Sequence, residues 1–290
     1  MIFTKKIIQL SKNDRKIAGG KSIYLGEIMK MGILVPKGFV VLAPAFDKFL
    51  EQNNLDKKIK KLLRKINSDN KQSINKISKE IDNLIIKTAV PKDMAAQIGK
   101  EFLWLKKNYV AVRSSAIFED SSTSSWAGEL ESYLNTTKIN LLNNLKKCWA
   151  SIFGPKAISY KFNNVLNKNN FSVAVIVQEM IQSEISGVCF TVHPVAVDYN
   201  KMVIEAGSGL GEIITEGIVT PDTYIVDKKN KLISDKHINQ QKQKMTDAQI
   251  LKLSEICRKI EKHYKAPQDI EWAFAKNKFY ILQSRPITTL

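Results

Sequence analysis

Cysteine is scarce in this chain: three residues in 290, Cys148, Cys189 and Cys257. Their odd number, wide separation and lack of any C-x-x-C pair exclude a disulfide scaffold and a zinc knuckle, and leave reduced, buried thiols as the expectation. Arginine is scarce as well. Of 45 basic residues only Arg15, Arg64, Arg113, Arg258 and Arg285 carry a guanidinium, so lysine supplies most of the +17 net charge. Such a charge attracts anions, but base edges are read mainly by arginine, and no aromatic RNA-binding signature, Cys/His finger or basic zipper accompanies it. That argues against a nucleic-acid partner. Long apolar runs are missing too: nothing approaches the roughly 20 residues that cross a bilayer. The start, Met1 to Leu10, carries Lys5 and Lys6 and no small-residue cleavage site, so the expectation is a cytoplasmic protein with no membrane partner.

What is present is ordinary for a folded protein: 44% hydrophobic and 25% charged residues, which excludes wholesale disorder. The length suits two domains or one bilobal unit. Leu55, Ile59, Leu62, Leu63 and Ile66, then Ile74, Ile77, Ile81, Leu84 and Ile85, recur at helical spacing, so 55–107 is expected to be mostly helical, with Lys57, Lys58, Lys60 and Lys61 as a solvated face. Val110-Ala111-Val112 reads as a short buried strand that runs into a Ser/Thr-rich loop from Ser114 to Ser125. Leu141 to Phe153 restores a helix, and Ser172 to Val177 is a β-branched strand. A lobe boundary is placed near Ile181, giving an N-terminal lobe 1–180 and a C-terminal lobe 181–290. The second has strands around 187–191, 202–205 and 223–226, a helix over 247–264, and a final hairpin of Ile270–Ala275 and Phe279–Gln283.

Five stretches carry chemistry. In Gly19-Gly20-Lys21-Ser22, paired glycines allow close backbone approach and a lysine opens an amphipathic helix whose N-terminus favours a phosphate; a plain turn before a surface helix is the alternative. It is not a Walker A loop, because the earlier glycine is misplaced. In Val112-Arg113-Ser114-Ser115 and the loop through Trp126-Ala127-Gly128, an arginine and small hydroxyls could line a polyphosphate, while a salt bridge from Arg113 to Glu119 or Asp120 is equally open. Val177-Gln178-Glu179 ends a strand in amide and carboxylate groups suited to the edge of an adenine. Glu205-Ala206-Gly207-Ser208-Gly209-Leu210-Gly211 has the wrong spacing for a dinucleotide fingerprint and reads as a turn. The last stretch pairs Asp269-Ile270-Glu271 with Gln283-Ser284-Arg285. Strand alternation puts Asp269, Glu271, Gln283 and Arg285 on one face, a set of hard oxygen donors plus a guanidinium, with a solvent-facing ion pair as the plainer reading.

In this order the five stretches resemble the nucleotide-binding domain of the phosphoenolpyruvate synthase, pyruvate phosphate dikinase and rifampin phosphotransferase family. The likeness runs from Gly19-Gly20-Lys21 and Val35-Pro36-Lys37-Gly38-Phe39-Val40, through Arg113-Ser114-Ser115, to Asp269-Ile270-Glu271-Trp272 and Gln283-Ser284-Arg285-Pro286. It implies an α+β fold, the bilobal ATP-grasp fold with ATP between the lobes, and ATP and Mg²⁺ as cofactors. It further implies that Lys21 and Arg113 contact ATP phosphates, that Gly128 and Ser132 lie in a phosphate-covering loop, and that Gln178 sits near the adenine. Glu271 and Gln283 would serve metal and phosphates, Asp269 would be a second-rank metal candidate, and Arg285 would stand near the transferred group.

The implied enzyme is an ATP-dependent dikinase of the pyruvate, water dikinase type. It passes the β-phosphoryl group to a histidine on a separate domain, in trans or in a longer parent chain, and the final small-molecule acceptor binds elsewhere. The sequence departs from the family in two places. His193, His237 and His263 lack the glycine- and Thr-Ser-rich setting of a phosphohistidine loop, and Glu129-Leu130-Glu131-Ser132 replaces an amide-rich run ending in threonine. A non-catalytic nucleotide-sensing or basic binding module is therefore the alternative.

Overall fold

A computed structural model describes residues 1–67, 70–117, 132–163, 171–211, 217, 219–239 and 243–288. The chain divides into two compact units, residues 1–23 with 37–180 and residues 24–36 with 181–290. Among the described residues, no helix is long and apolar enough to cross a membrane.

The first unit contains β1 (Thr4–Lys6), α1 (Arg15–Ala18), the opening of α2 (Gly20–Lys30), β2 (Gly38–Val41), α3 (Ala43–Gln52), α4 (Leu55–Leu63) and α5 (Lys71–Lys87). It continues with α6 (Lys92–Leu105), β3 (Val110–Ala116), β4 (Ser132–Thr136), α7 (Leu141–Ser151), α8 (Pro155–Asn163) and β5 (Val173–Glu179). Its five-stranded sheet has the order β1-β2-β5-β3-β4, antiparallel throughout. The helical reading of 55–107 holds. Leu55, Ile59 and Leu63 are buried while Lys57, Lys58, Lys60 and Lys61 are exposed, so the lysine run is a solvated face. Asn70 caps α5 by accepting from the Gln72 and Ser73 amides, and Ile74, Ile77, Ile81 and Ile85 turn inward. The core centres on Phe46, Phe49 and Trp149, with ring centroids 4.9 Å apart for Phe49 and Trp149.

Two expectations change here. The loop anticipated from Ser114 begins later, because β3 continues to Ala116 with β5 along its whole length, leaving Ser114 and Ser115 buried in a sheet that satisfies their backbone. Residues 118–131 of that stretch, including Gly128, lie outside the described residues. The helix opened by Lys21 is not amphipathic: Ser22, Ile23, Leu25, Gly26 and Ile28 are buried around its circumference, and only Lys30 is fully exposed.

The second unit contains β6 (Ile185–Phe190), β7 (Lys201–Ser208), β8 (Asp222–Asp227), β9 (Leu232–His237), α9 (Asp247–Tyr264), β10 (Gln268–Ala275) and β11 (Lys278–Pro286). They form a six-stranded antiparallel sheet in the order β11-β10-β6-β7-β8-β9. Thr246 and Gln249 form a reciprocal capping box at the start of α9. The stripe Ile250, Leu253, Cys257 and Ile260 is buried, and Cys257 lies against Cys189 of β6, so α9 covers the sheet face that also carries Ile204 and Ile270. The opposite face is therefore left to the alternate residues of each strand. The strand expected at 202–205 is β7, and it runs on through Ala206 to Ser208, which were read as a turn. Lys276 and Asn277, both at positive φ, make the two-residue turn between β10 and β11, and such a turn matches the twist of the strands it joins.

Candidate functional site

In the first unit the glycine pair forms a corner. Helix α1 ends at Ala18, α2 begins at Gly20, and Gly19 between them has φ +77°. A Cβ at Gly19 would lie 2.3 Å from Ser115 Oγ and 2.5 Å from the Ser115 carbonyl oxygen, so this corner rests directly on β3. Ser115 Oγ donates to the Ala18 carbonyl at 3.0 Å, and Ser22 Oγ donates to the Ala18 and Gly19 carbonyls at 2.6 and 2.9 Å. Half-buried Lys21 is thereby placed in the first turn of α2, where amides not used within the helix add partial positive charge.

Register decides what shares that face. Arg113 precedes Ser115 by two residues on β3 and so projects to the same side; Ser132 of β4 pairs directly with Arg113, and Gln178 of β5 with Ala111, also on that side. The corner bearing Lys21, Arg113, Ser132 and Gln178 thus gather on one face of the first sheet. Gln178 is 2% exposed, Arg113 half-buried and Ser132 exposed. This collection of cation, amide and hydroxyl groups suits a polar anionic ligand.

In the second unit Asp269 pairs with Arg285 and Glu271 with Gln283 across β10 and β11, with a bulge immediately after Glu271. All four lie on the face opposite α9. Asp269 Oδ2 accepts from Arg285 Nε at 2.9 Å and Nη2 at 2.6 Å, so the cross-strand ion pair is formed, with side chains 14% and 35% exposed. Burial holds the Asp269 carboxyl above its ordinary range; Arg285 opposes this and the Glu271 charge adds to it.

The same register places one further carboxylate on this face. Glu205 of β7 pairs with Val188 of β6, which pairs with Glu271, so Gln283, Glu271, Val188 and Glu205 form one row across four strands. Burial, and then the Asp269 charge, raises the Glu205 carboxyl above its ordinary value. Sequence reasoning did not single out Glu205. The available signal was a carboxylate ending the apolar run Met202-Val203-Ile204.

Residues 15–290 match the family described as pyruvate phosphate dikinase, AMP/ATP-binding domain. A probable phosphoenolpyruvate synthase of Methanocaldococcus jannaschii is 38% identical over 320 residues, covering 100% of this chain and 27% of that protein. One of Archaeoglobus fulgidus is 39% identical over 312 residues, covering 98% and 41%. The rifampicin phosphotransferase of Bacillus subtilis is 35% identical over 309 residues, covering 97% and 35%. The chain spans less than half the length of each of these relatives. Because the match begins ahead of the Gly19 corner and continues through β11, taking in both residue sets, the chain belongs to the pyruvate phosphate dikinase AMP/ATP-binding domain family.

Proposed function

We propose that the chain is the ATP-binding part of a phosphotransferase of the pyruvate, water dikinase type, built on the ATP-grasp fold. In this reading it uses ATP with Mg²⁺ and passes the β-phosphoryl group to a histidine nitrogen on a separate domain, within a longer parent chain or a partner. The γ-phosphate leaves to water or inorganic phosphate, AMP is the remaining product, and a small-molecule acceptor binds elsewhere. The observation that carries the reading is the register: each unit sets its phosphate- or cation-directed residues on a single sheet face.

Lys21 and the first amides of α2 hold phosphate oxygens, and Arg113 adds a guanidinium on the same face. Gln178, nearly buried, reads the adenine edge. Ser132, next to the stretch that contains Gly128, faces the phosphates. Arg285 neutralises charge on the transferred group, and Asp269, by accepting from both Nε and Nη2, fixes the direction in which the remaining guanidinium donors point.

The donors of the second unit fit Mg²⁺. Glu271, Gln283 and Asp269 offer carboxylate and amide oxygens on one face, and Mg²⁺ is commonly held by one or two carboxylates together with nucleotide phosphates rather than by an all-protein cage. When bound, the ion neutralises phosphate charge. The protein's own share is positioning and charge stabilisation, since phosphoryl transfer asks little covalent chemistry of it.

Calorimetry of ATP binding with and without Mg²⁺ tests the reading, using Lys21→Ala, Arg113→Ala and Glu271→Ala. Each variant is expected to weaken binding, by about tenfold or more for the loss of a charged hydrogen bond. For Glu271→Ala the loss is expected only with Mg²⁺ present. Unchanged affinity in all three removes the assignment. Transfer of label from ATP labelled in its β-phosphate to an added phosphohistidine domain tests the reaction itself.

A further inference from the structure

The face of the second sheet opposite α9 carries more acid than base. Strand alternation sets Lys201 and Glu205 of β7 on it, together with Asp227 of β8, Asp235 and His237 of β9, and the Asp269, Glu271 and Arg285 already described. Its cations are engaged or distant. Lys201 Nζ donates to Asp227 Oδ2 at 3.1 Å, His237 Nε2 lies 3.0 Å from Asp235 Oδ2, and Arg285 donates to Asp269. Lys278 pairs with Ala275 beside the β10–β11 turn, four residues along β10 from the row that holds Glu271 and Glu205. Glu205 itself is half-buried, and among the described residues its carboxylate has no hydrogen bond or ion pair. Its neighbours across the strands are the uncharged Val188 and Thr223, and the charge that acts on it is Asp269, of its own sign. A carboxylate drawn partly out of water beside another acid is costly, and glutamine would fill the same space without that cost.

We propose that Glu205 is a further cation-directed residue of the nucleotide site, taking its counter-charge from a divalent metal ion that arrives with ATP. The inference rests on the assignment of Glu271 and Gln283 to that ion, because Gln283, Glu271 and Glu205 share one row, with Val188 between the two glutamates. A polyphosphate brought to this row meets carboxylates of its own sign, and a multivalent cation held between them turns the repulsion into attraction. The dependence on metal is specific to this role. A carboxylate that accepted directly from a nucleotide hydroxyl would do so with or without the ion.

The test is calorimetry of ATP binding to the full chain carrying Glu205→Gln, with Glu271→Ala alongside, at saturating Mg²⁺ and again in EDTA. Glu205→Gln is expected to weaken ATP binding about tenfold with Mg²⁺ and to leave it unchanged in EDTA. Electron paramagnetic resonance of Mn²⁺ added with ATP reads the ion without turnover, and the variant is expected to hold it about tenfold more weakly. Glutamine keeps the shape and removes only the charge, and a thermal unfolding curve confirms that the variant is folded. Unchanged ATP and Mn²⁺ affinity in Glu205→Gln, with the Mg²⁺-dependent loss intact in Glu271→Ala, would overturn the proposal and leave the nucleotide site standing. An equal loss with and without Mg²⁺ would also overturn it, because the carboxylate would then be touching the nucleotide itself. No effect in either variant would remove the site assignment and this inference with it.

Discussion

Gly19 and Ser115 meet so closely that no side chain fits between them: the corner before α2 sits on β3 with space for a hydrogen at Gly19 and nothing larger. Its positive φ adds a second reason for glycine. Replacing Gly19 by Ala combines a Cβ clash with backbone and a strained dihedral, mechanisms that together cost about 3 kcal/mol or more. Ser115→Ala removes only the hydrogen bond to the Ala18 carbonyl and is expected to cost about 1 kcal/mol. Urea unfolding of the two variants should show this difference, and equal losses would mean that the corner is not wedged as described.

Part of this was legible in the sequence and part was not, for physical reasons. The Asp269-to-Arg285 patch was readable because alternation holds over Asp269–Glu271 and Gln283–Arg285, which lie together on one side of the bulge, and the register pairs the four residues as that alternation requires. Helices α4, α5 and α9 were readable because each shows a long apolar stripe. Strands β1 and β2, three and four residues long, were not, since so few residues cannot display a period. Ser114 and Ser115 looked like loop because small hydroxyl residues are usual in turns, and only the pairing of β3 with β5 overrules that preference. Glu205 escaped notice because its partner on the face, Glu271, lies 66 residues away and two strands over.

The Asp269–Arg285 pair yields a second prediction. Arg285→Met leaves a mostly buried carboxylate with no guanidinium, and is expected to cost about 1–3 kcal/mol at neutral pH. With its opposing charge gone, the Asp269 carboxyl rises further from its ordinary value, so the deficit relative to wild type should shrink as the solution is acidified and the group takes up a proton. Arg285→Lys keeps the charge but lacks the fork that donates from two nitrogens to one oxygen, and should recover only part of the loss. Urea midpoints at pH 4 and pH 8 check both.

Glu205 supplies a prediction with the opposite sign. Its carboxyl titrates above the ordinary value of 4.5 because of burial and the nearby Asp269 charge. In the window between that value and its raised one, the folded state binds the extra proton, so wild-type stability falls as pH rises through the window. Glu205→Gln removes the ionisation and should raise the thermal midpoint at pH 7 while leaving it nearly unchanged below the ordinary carboxylate pKa. A midpoint that drops at pH 7 would show that the carboxylate is stabilising where it stands.

Two further glycines separate packing from propensity. At Gly187 a Cβ would lie 1.8 Å from the Glu205 carbonyl oxygen and 3.0 Å from the Trp272 ring, in the middle of the second sheet, where β6 is paired on both sides. The backbone of β7 cannot retreat without breaking its ladder, so Gly187→Ala should abolish folding of the second unit and leave the chain insoluble. At Gly99 in α6 no atom beyond the adjoining backbone of its own helix lies within 4 Å of the added carbon. There Ala only removes backbone freedom from the unfolded chain and improves helix propensity, so Gly99→Ala should stabilise by about 0.5–1 kcal/mol. Expression and thermal unfolding of the two variants give the comparison: a folded, soluble Gly187→Ala protein would contradict the pairing of β6 with β7, and a destabilised Gly99→Ala protein would contradict the open space beside α6.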